Sequence, residues 1–163
     1  MPVELYRIDD RLIHGQVVVG WGRPLELGFI VLVDDEVAAS DWEQELYRMG
    51  VPPEMDVFFE SVERAVRRQA QFAADERPGL LHTGDIDTKR RLVQGVGGVR
   101  QVNVGGIHHR AGRVQRLRYV FLSPEEERAL RALADSGVAV TAQDVPAARA
   151  VSLDDMLNAR GDG

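Results

Sequence analysis

The sequence predicts an α/β fold: a single domain with an open, twisted, mostly parallel β-sheet and helices on both faces. Three observations carry this. Short apolar runs of strand length alternate with amphipathic segments along the whole chain, and such strand–helix alternation requires crossover connections between parallel strands. The run FIVLV at residues 29–33 is apolar without interruption, the pattern of a strand buried on both faces. The length of 163 residues suits one domain with a full core. No internal repeat, low-complexity tract or linker divides the chain. The domain is assigned to residues 3–157, with 158–163 as a short flexible tail.

Each element has a local reason. ELYRI at residues 4–8 reads as the first strand, and residues 15–21 as the start of a helix. Residues 29–33 form the second strand and end in Asp34-Asp35. Residues 42–49 read as a helix stopped by GVPP at 50–53. MDVFF at 55–59 is the third strand. Ser61 is an N-cap for a helix running to about residue 74. GLLHT at 79–83 is a short strand, residues 85–94 a helix closed by Gly95, and residues 99–104 a strand running into Gly105-Gly106. RYVFL at 118–122 is a further strand. Ser123-Pro124-Glu125-Glu126 combines an N-cap, a first-turn proline and acids at the positive end of the helix dipole, and opens a helix to about residue 135. VAVTA at 138–142 is the last strand, and residues 153–157 a short terminal helix.

Composition narrows the function. With 20 Lys+Arg against 26 Asp+Glu, the formal net charge is −6, opposite to the basic excess of nucleic-acid binders. Two local basic stretches, 89–91 and 110–118, stand out against it. There is no cysteine, so thiol chemistry and disulfides are excluded, as expected for a cytoplasmic protein. The N-terminal residues do not read as a signal peptide, and no apolar run has the roughly 18 residues a membrane span requires.

The chemistry concentrates in RIDDRLIHGQV, residues 7–17. His14 falls on the loop leaving the first strand, just before a helix start. In open α/β sheets ligands bind at that edge, and helix N-termini favour anions. Neutral imidazole has a lone pair to attack phosphorus, and its ordinary pKa near 6.5 leaves a useful neutral fraction at neutral pH. Arg11 is the first choice as electrostatic clamp on a transferring phosphoryl group, Arg7 the second. Gly15 permits close approach to backbone N–H groups, and Gln16 offers a donor to a phosphate oxygen. One of Asp9 and Asp10 is expected to hold the second imidazole nitrogen or brace an arginine. Asp10 is the candidate for a catalytic role, with a salt bridge or helix cap as the alternative.

Other residues are expected near this edge. Gly105 and Gly106 follow a strand and either permit close approach of a ligand or form a tight turn. Asp34 either lines the cleft or caps a turn. His82 is a candidate cleft-lining residue at a strand end. No metal site is expected: His108 and His109, adjacent in a strand, would point to opposite faces, and no zinc-type spacing is present. Trp21 and Trp42 are expected to pack. No GxGxxG or GxxxxGK[ST] loop supports a nucleotide-binding module.

RIDDRLIHGQV with Trp21, VLVDD at 31–35, QVNVGGIHH at 101–109 and SPEEERALRALADSGVAVTAQDVP at 123–146 appear in order across nearly the whole chain. Together they resemble the IIB subunit of the mannose/fructose/sorbose class of the bacterial phosphoenolpyruvate-dependent sugar phosphotransferase system. The resemblance implies an α/β domain in which His14 receives a phosphoryl group, on Nδ1, from a histidine of a IIA partner. It further implies that His14 passes the group to a sugar of the mannose/fructose/sorbose/N-acetylgalactosamine class entering through membrane subunits IIC and IID. No cofactor is implied, and the location is cytoplasmic, at the membrane periphery through IIC/IID. A regulatory phosphocarrier, in which phosphorylated His14 signals without transport, is the alternative. An exposed docking face is compatible with a homodimer. Residues 82–85 (HTGD) and the arginine-rich 110–118 depart from the pattern expected of the class.

Overall fold

The computed structural model describes residues 3–13 and 20–158. Seven strands form one sheet in the order β3-β2-β4-β1-β5-β8-β9. They are β1 (Val3–Ile8), β2 (Phe29–Val33), β3 (Asp56–Glu60), β4 (Gly79–Thr83), β5 (Gln101–Val104), β8 (Ala139–Ala142) and β9 (Val151–Ser152). All neighbours pair parallel except the edge strand β9, which runs antiparallel to β8. The predicted mostly parallel α/β sheet is therefore the one observed. A separate antiparallel hairpin pairs β6 (Val114–Leu117) with β7 (Val120–Leu122).

The helices are α1 (Asp35–Ala38), α2 (Asp41–Arg48), α3 (Val62–Arg67), α4 (Gln69–Ala74), α5 (Ile86–Val96), α6 (Pro124–Asp135) and α7 (Leu153–Leu157). Strand alternation sorts the core. Phe29, Val31, Val33 and Leu81 face Val62, Ala65, Phe72 and Leu92, and Ile8, Val102, Val104, Val140 and Ala142 face Leu130, Leu133 and Met156. On the opposite face Ile30, Leu32, Val57 and Leu80 pack against Leu27 and Val37. Both faces of the central strands are thus covered, which is why β2 and β4 are buried at every position.

Several expectations are corrected. The helix expected over 61–74 is broken at Arg68 (φ −93°, ψ 5°), whose guanidinium turns back to Glu60 at 2.8 Å and lies over the Phe58 and Phe72 rings. The strand expected over 118–122 is the second arm of the β6–β7 hairpin and lies outside the main sheet, because residues 118–119 form its turn. His108 and His109 lie beyond a single bridge at Ile107, not in a strand. Trp42 does not pack: 71 % of its surface is exposed. The two basic stretches are partly absorbed by pairing. Lys89 is buried, Arg91 meets Asp35 at 3.0 Å, and Arg113 and Arg116 meet Glu126 and Glu127 at the start of α6.

The parallel strands bring the ends of β1, β2, β4, β5 and β8 to one edge. The chain leaves β1 toward β2 on one side and leaves β5 toward β8 on the other. The adjacent strands β1 and β5 therefore flank a topological switch point, where open α/β sheets form their crevices.

Candidate active site

His14, Gly15 and Gln16 lie outside the described residues. What precedes them is a tightly specified loop. Ile8 accepts from the Gly105 N–H at 2.6 Å, Asp10 N–H donates to the Gly106 carbonyl at 2.8 Å, and Leu12 N–H closes a turn on the Asp9 carbonyl at 3.1 Å. Leu12 adopts φ 54°, left-handed backbone that a leucine takes at a cost of about 1–2 kcal/mol. Strain of this kind persists where the surrounding structure over-determines it, and it gathers at functional loops.

Asp9 is the hub. Its wholly buried carboxylate accepts from Arg11 Nε at 2.8 Å and Nη2 at 2.5 Å, from Arg7 Nη2 at 3.1 Å and from the Gly106 N–H at 3.1 Å. Burial alone pushes its pKa up. The Arg11 hydrogen bond, the Arg7 charge and the Gly106 N–H outweigh that and hold it at about 2. Of the two aspartates, Asp9 is therefore the one that braces an arginine. Bidentate Arg–carboxylate geometry fixes the guanidinium plane as well as its charge. Arg11 also lies 3.5 Å from Asp144, and about a fifth of its side chain stays exposed at the edge that leads into His14.

Arg7 takes a different place from the one expected of a phosphate clamp. It is fully buried, hydrogen-bonded to Asn103 Oδ1 and to the carbonyls of Gln143 (2.8 Å) and Asp144 (3.0 Å). The Trp21 ring covers it at 4.5 Å from the guanidinium carbon. Asn103, Gln143 and Asp144, which sequence reasoning did not single out, thus bind Arg7 across β1, β5 and β8. Their sequence signals are a position at or just beyond strand ends and membership of the QVNVGG and AQDVP strings that carry the resemblance. Desolvation pulls the Arg7 pKa down and the Asp9 charge opposes it.

Gly105 and Gly106 form the floor. A Cβ on Gly105 would collide with the Arg7 guanidinium and come within 2.6 Å of Asp9 Oδ2, and one on Gly106 would sit 3.3 Å from Asp9 and Arg11. The glycines are needed for close approach, here of the protein's own side chains. Asp10 faces outward: its carboxylate takes the His108 N–H at 2.7 Å and lies 2.5 Å from His108 Nδ1, tying the β1 loop to the loop after β5.

His82 does not line the cleft. It is wholly buried on the central strand β4, with Nε2 3.1 Å from the Asp9 carbonyl, so it supports the loop from below. Burial pushes its pKa down to about 3. Lys89 reaches the same region from α5 and donates to the Leu81 carbonyl at 3.0 Å. Asp34 borders a cavity of about 500 Å³ together with Asp10, Asp35, Asp85 and Arg110, and it also N-caps α1 through the Glu36 and Val37 N–H groups. Cation and anion are thereby segregated, with Arg11 on one side of the Asp10 loop and a largely acidic cavity on the other.

The chain matches the family described as PTS system sorbose subfamily IIB component over residues 3–162. It is 34 % identical over 160 residues to the sorbose-specific EIIB component of Klebsiella pneumoniae, covering 97 % of this chain and 96 % of that one. It is 32 % identical to the mannose-specific EIIAB component of Escherichia coli (strain K12), covering 97 % of this chain but 49 % of that longer protein. The crystal structure of the N-acetylgalactosamine-specific IIB component 1 from Escherichia coli superposes with a TM-score of 0.86 at 32 % identity, covering 92 % of this chain and 98 % of that one. Among the described residues no helix is long and apolar enough to cross a membrane. The parallel sheet, the arginine loop at its switch point and these similarities lead to one conclusion: the chain belongs to the family of sorbose-subfamily IIB components of the PTS system.

Proposed function

We propose that this chain carries a phosphoryl group on His14, accepting it from a phosphohistidine of a IIA protein and passing it to a sugar of the sorbose, mannose or N-acetylgalactosamine class during uptake. The observation that carries the reading is Arg11, held along one edge of its guanidinium by a bidentate pair with buried Asp9 and standing three residues before His14. A phosphoryl group in flight is highly anionic, and its transfer is catalysed by positioning and charge stabilisation. A guanidinium already fixed in the ground state supplies that charge without reorganisation.

In the first step a neutral imidazole nitrogen of His14 attacks phosphorus. The N–P bond of the donor breaks, and the departing donor imidazole keeps the electron pair. In the second, a sugar hydroxyl oxygen attacks phosphorus, the O–P bond forms as the His14 N–P bond breaks, the imidazole nitrogen keeps that electron pair, and the hydroxyl proton passes to solvent water. Arg11 is assigned to the equatorial oxygens in both steps. Gly15 and Gln16 are assigned backbone and side-chain donors to the same oxygens. Asp9 and Arg7 are positioning residues, and Asp10 holds the loop through His108 at the cavity side. The relatives' names support IIA as donor, the mannose-specific protein joining IIA and IIB in one chain, and support transport over a purely regulatory phosphocarrier. Transfer to sugar places the protein at the membrane through IIC and IID.

Intact-mass measurement after incubation with phosphoenolpyruvate, the general phosphotransferase proteins and a mannose-class IIA tests this. One acid-labile phosphoryl group is expected on the wild type and none on His14→Ala. Equal labelling of His14→Ala, or no labelling of the wild type by a IIA competent toward its own partner, would refute the reading.

A further inference from the structure

Helix α2 is amphipathic in the wrong sense for a helix that only covers a sheet. Trp42, Leu46 and Met49 follow one another at i, i+4 and i+7 and so share one stripe. That stripe faces outward: the three are 71 %, 56 % and 83 % exposed. The inward face is partly polar. Gln44 donates to the Val37 and Ala38 carbonyls at 3.1 Å each, and Arg48 covers the Phe59 ring at 5.3 Å. Rimmed apolar patches of this kind mark interaction sites.

The rim is acidic. From residue 34 to residue 47 there are six carboxylates (Asp34, Asp35, Glu36, Asp41, Glu43, Glu45) and no Lys or Arg. The formal net charge of the whole chain is −6, so this segment accounts for all of it and the remaining acids match the 20 cations. Among the described residues Asp35 meets Arg91 at 3.0 Å and Glu45 meets Arg48 at 3.7 Å. The start of this acidic segment, Asp34 to Glu36, lines the cavity described above.

We infer that the Trp42–Leu46–Met49 stripe docks on the basic cytoplasmic loops of the transmembrane subunits through which the sugar enters. This rests on the function proposed above and names the partner at that site. Cytoplasmic loops of membrane proteins carry an excess of Lys and Arg, which complements this acid-rimmed stripe. The lipid surface itself is excluded as occupant, since the anionic leaflet repels such a patch.

The test is co-sedimentation of the unphosphorylated full-length protein with inside-out vesicles holding the cognate IIC and IID, against vesicles lacking them. Binding to the subunit-containing vesicles is expected to fall at least tenfold in Trp42→Ser/Leu46→Ser/Met49→Ser. It is expected to fall severalfold in Met49→Glu, a single change at the most exposed position, and steeply for the wild type as salt rises. The rate of phosphorylation by IIA is expected to stay within twofold of wild type in both variants. Wild-type binding that ignores the stripe, or no binding above the control vesicles, would overturn the inference. A fall in IIA-dependent phosphorylation with vesicle binding intact would overturn it in favour of the donor. Dissociation of a wild-type dimer with vesicle binding intact would overturn it in favour of a second copy. Stripe-dependent binding by a protein that IIA fails to phosphorylate would sustain the docking surface and refute the proposed function.

Discussion

Replacing Asp9 by asparagine perturbs the site at its hub while keeping its shape. In the native protein the carboxylate sits at a pKa of about 2, below its ordinary value of 3.8. At about 1.4 kcal/mol per pH unit, that separation contributes about 2–3 kcal/mol of stability at neutral pH. Because the folded value is the lower one, the contribution is full above pH 3.8 and is lost as pH falls toward 2. Asparagine also leaves Arg7 fully buried beside a neutral amide, and removing one partner of a buried pair costs about 3–5 kcal/mol in all. Urea denaturation of wild type and Asp9→Asn at pH 7 and near pH 2.5 reads both quantities. The expected result is a gap of about 3–5 kcal/mol at pH 7 that narrows at the lower pH. Phosphorylation of the variant by IIA is expected to slow, since Arg11 loses its clamp. A gap under about 1 kcal/mol at pH 7, the range of an exposed ion pair, or one that does not narrow in acid, would show that the carboxylate is not the keystone described.

Four further substitutions separate packing from charge. Gly105→Ala forces a Cβ into the Arg7 guanidinium, and a loss of about 1–3 kcal/mol by denaturant titration is expected, with Gly106→Ala milder because its nearest contacts are 3.3 Å away. Lys89→Met should stabilise the protein. Burial pushes the Lys89 pKa down to about 7 from 10.5, so the unfolded chain binds the extra proton and the penalty is largest below pH 7 and fades as pH rises toward 10.5. A gain of about 2–4 kcal/mol at pH 6 that shrinks by pH 9.5 is expected in thermal melts. Ser123→Ala removes the cap that holds the Glu126 N–H at 3.1 Å and is expected to cost about 1 kcal/mol by the same denaturant titration, with phosphorylation by IIA unchanged.

The elements legible in the sequence are those whose signals are local. FIVLV and GLLHT coincide with β2 and β4 because a strand buried on both faces has to be apolar at nearly every position. Helix α6 begins where Ser123, Pro124 and three acids place it, and its capping box forms. The first arm of the β6–β7 hairpin and the break at Arg68 were not legible. Residues 114–117 carry little apolar signal, and Arg68 leaves helical geometry for partners on β3 and α4. The outward stripe of α2 is likewise invisible in sequence, since periodicity gives an apolar face without saying which way it points.

By itself the sequence determined the α/β class and the company of arginines and acids that precede His14, because period, capping and motif spacing are written along the chain. Tertiary structure alone decided which acid braces which arginine. Asp9 and Asp10 are adjacent and chemically alike, and they differ only in that one turns inward to Arg7, Arg11 and Gly106 while the other turns outward to His108. It also decided that Arg7 is buried. A guanidinium leaves water only where acceptors surround it, and those acceptors, Asn103 and the carbonyls of Gln143 and Asp144, come from positions about a hundred residues or more away, meeting Arg7 only because β1, β5 and β8 lie side by side.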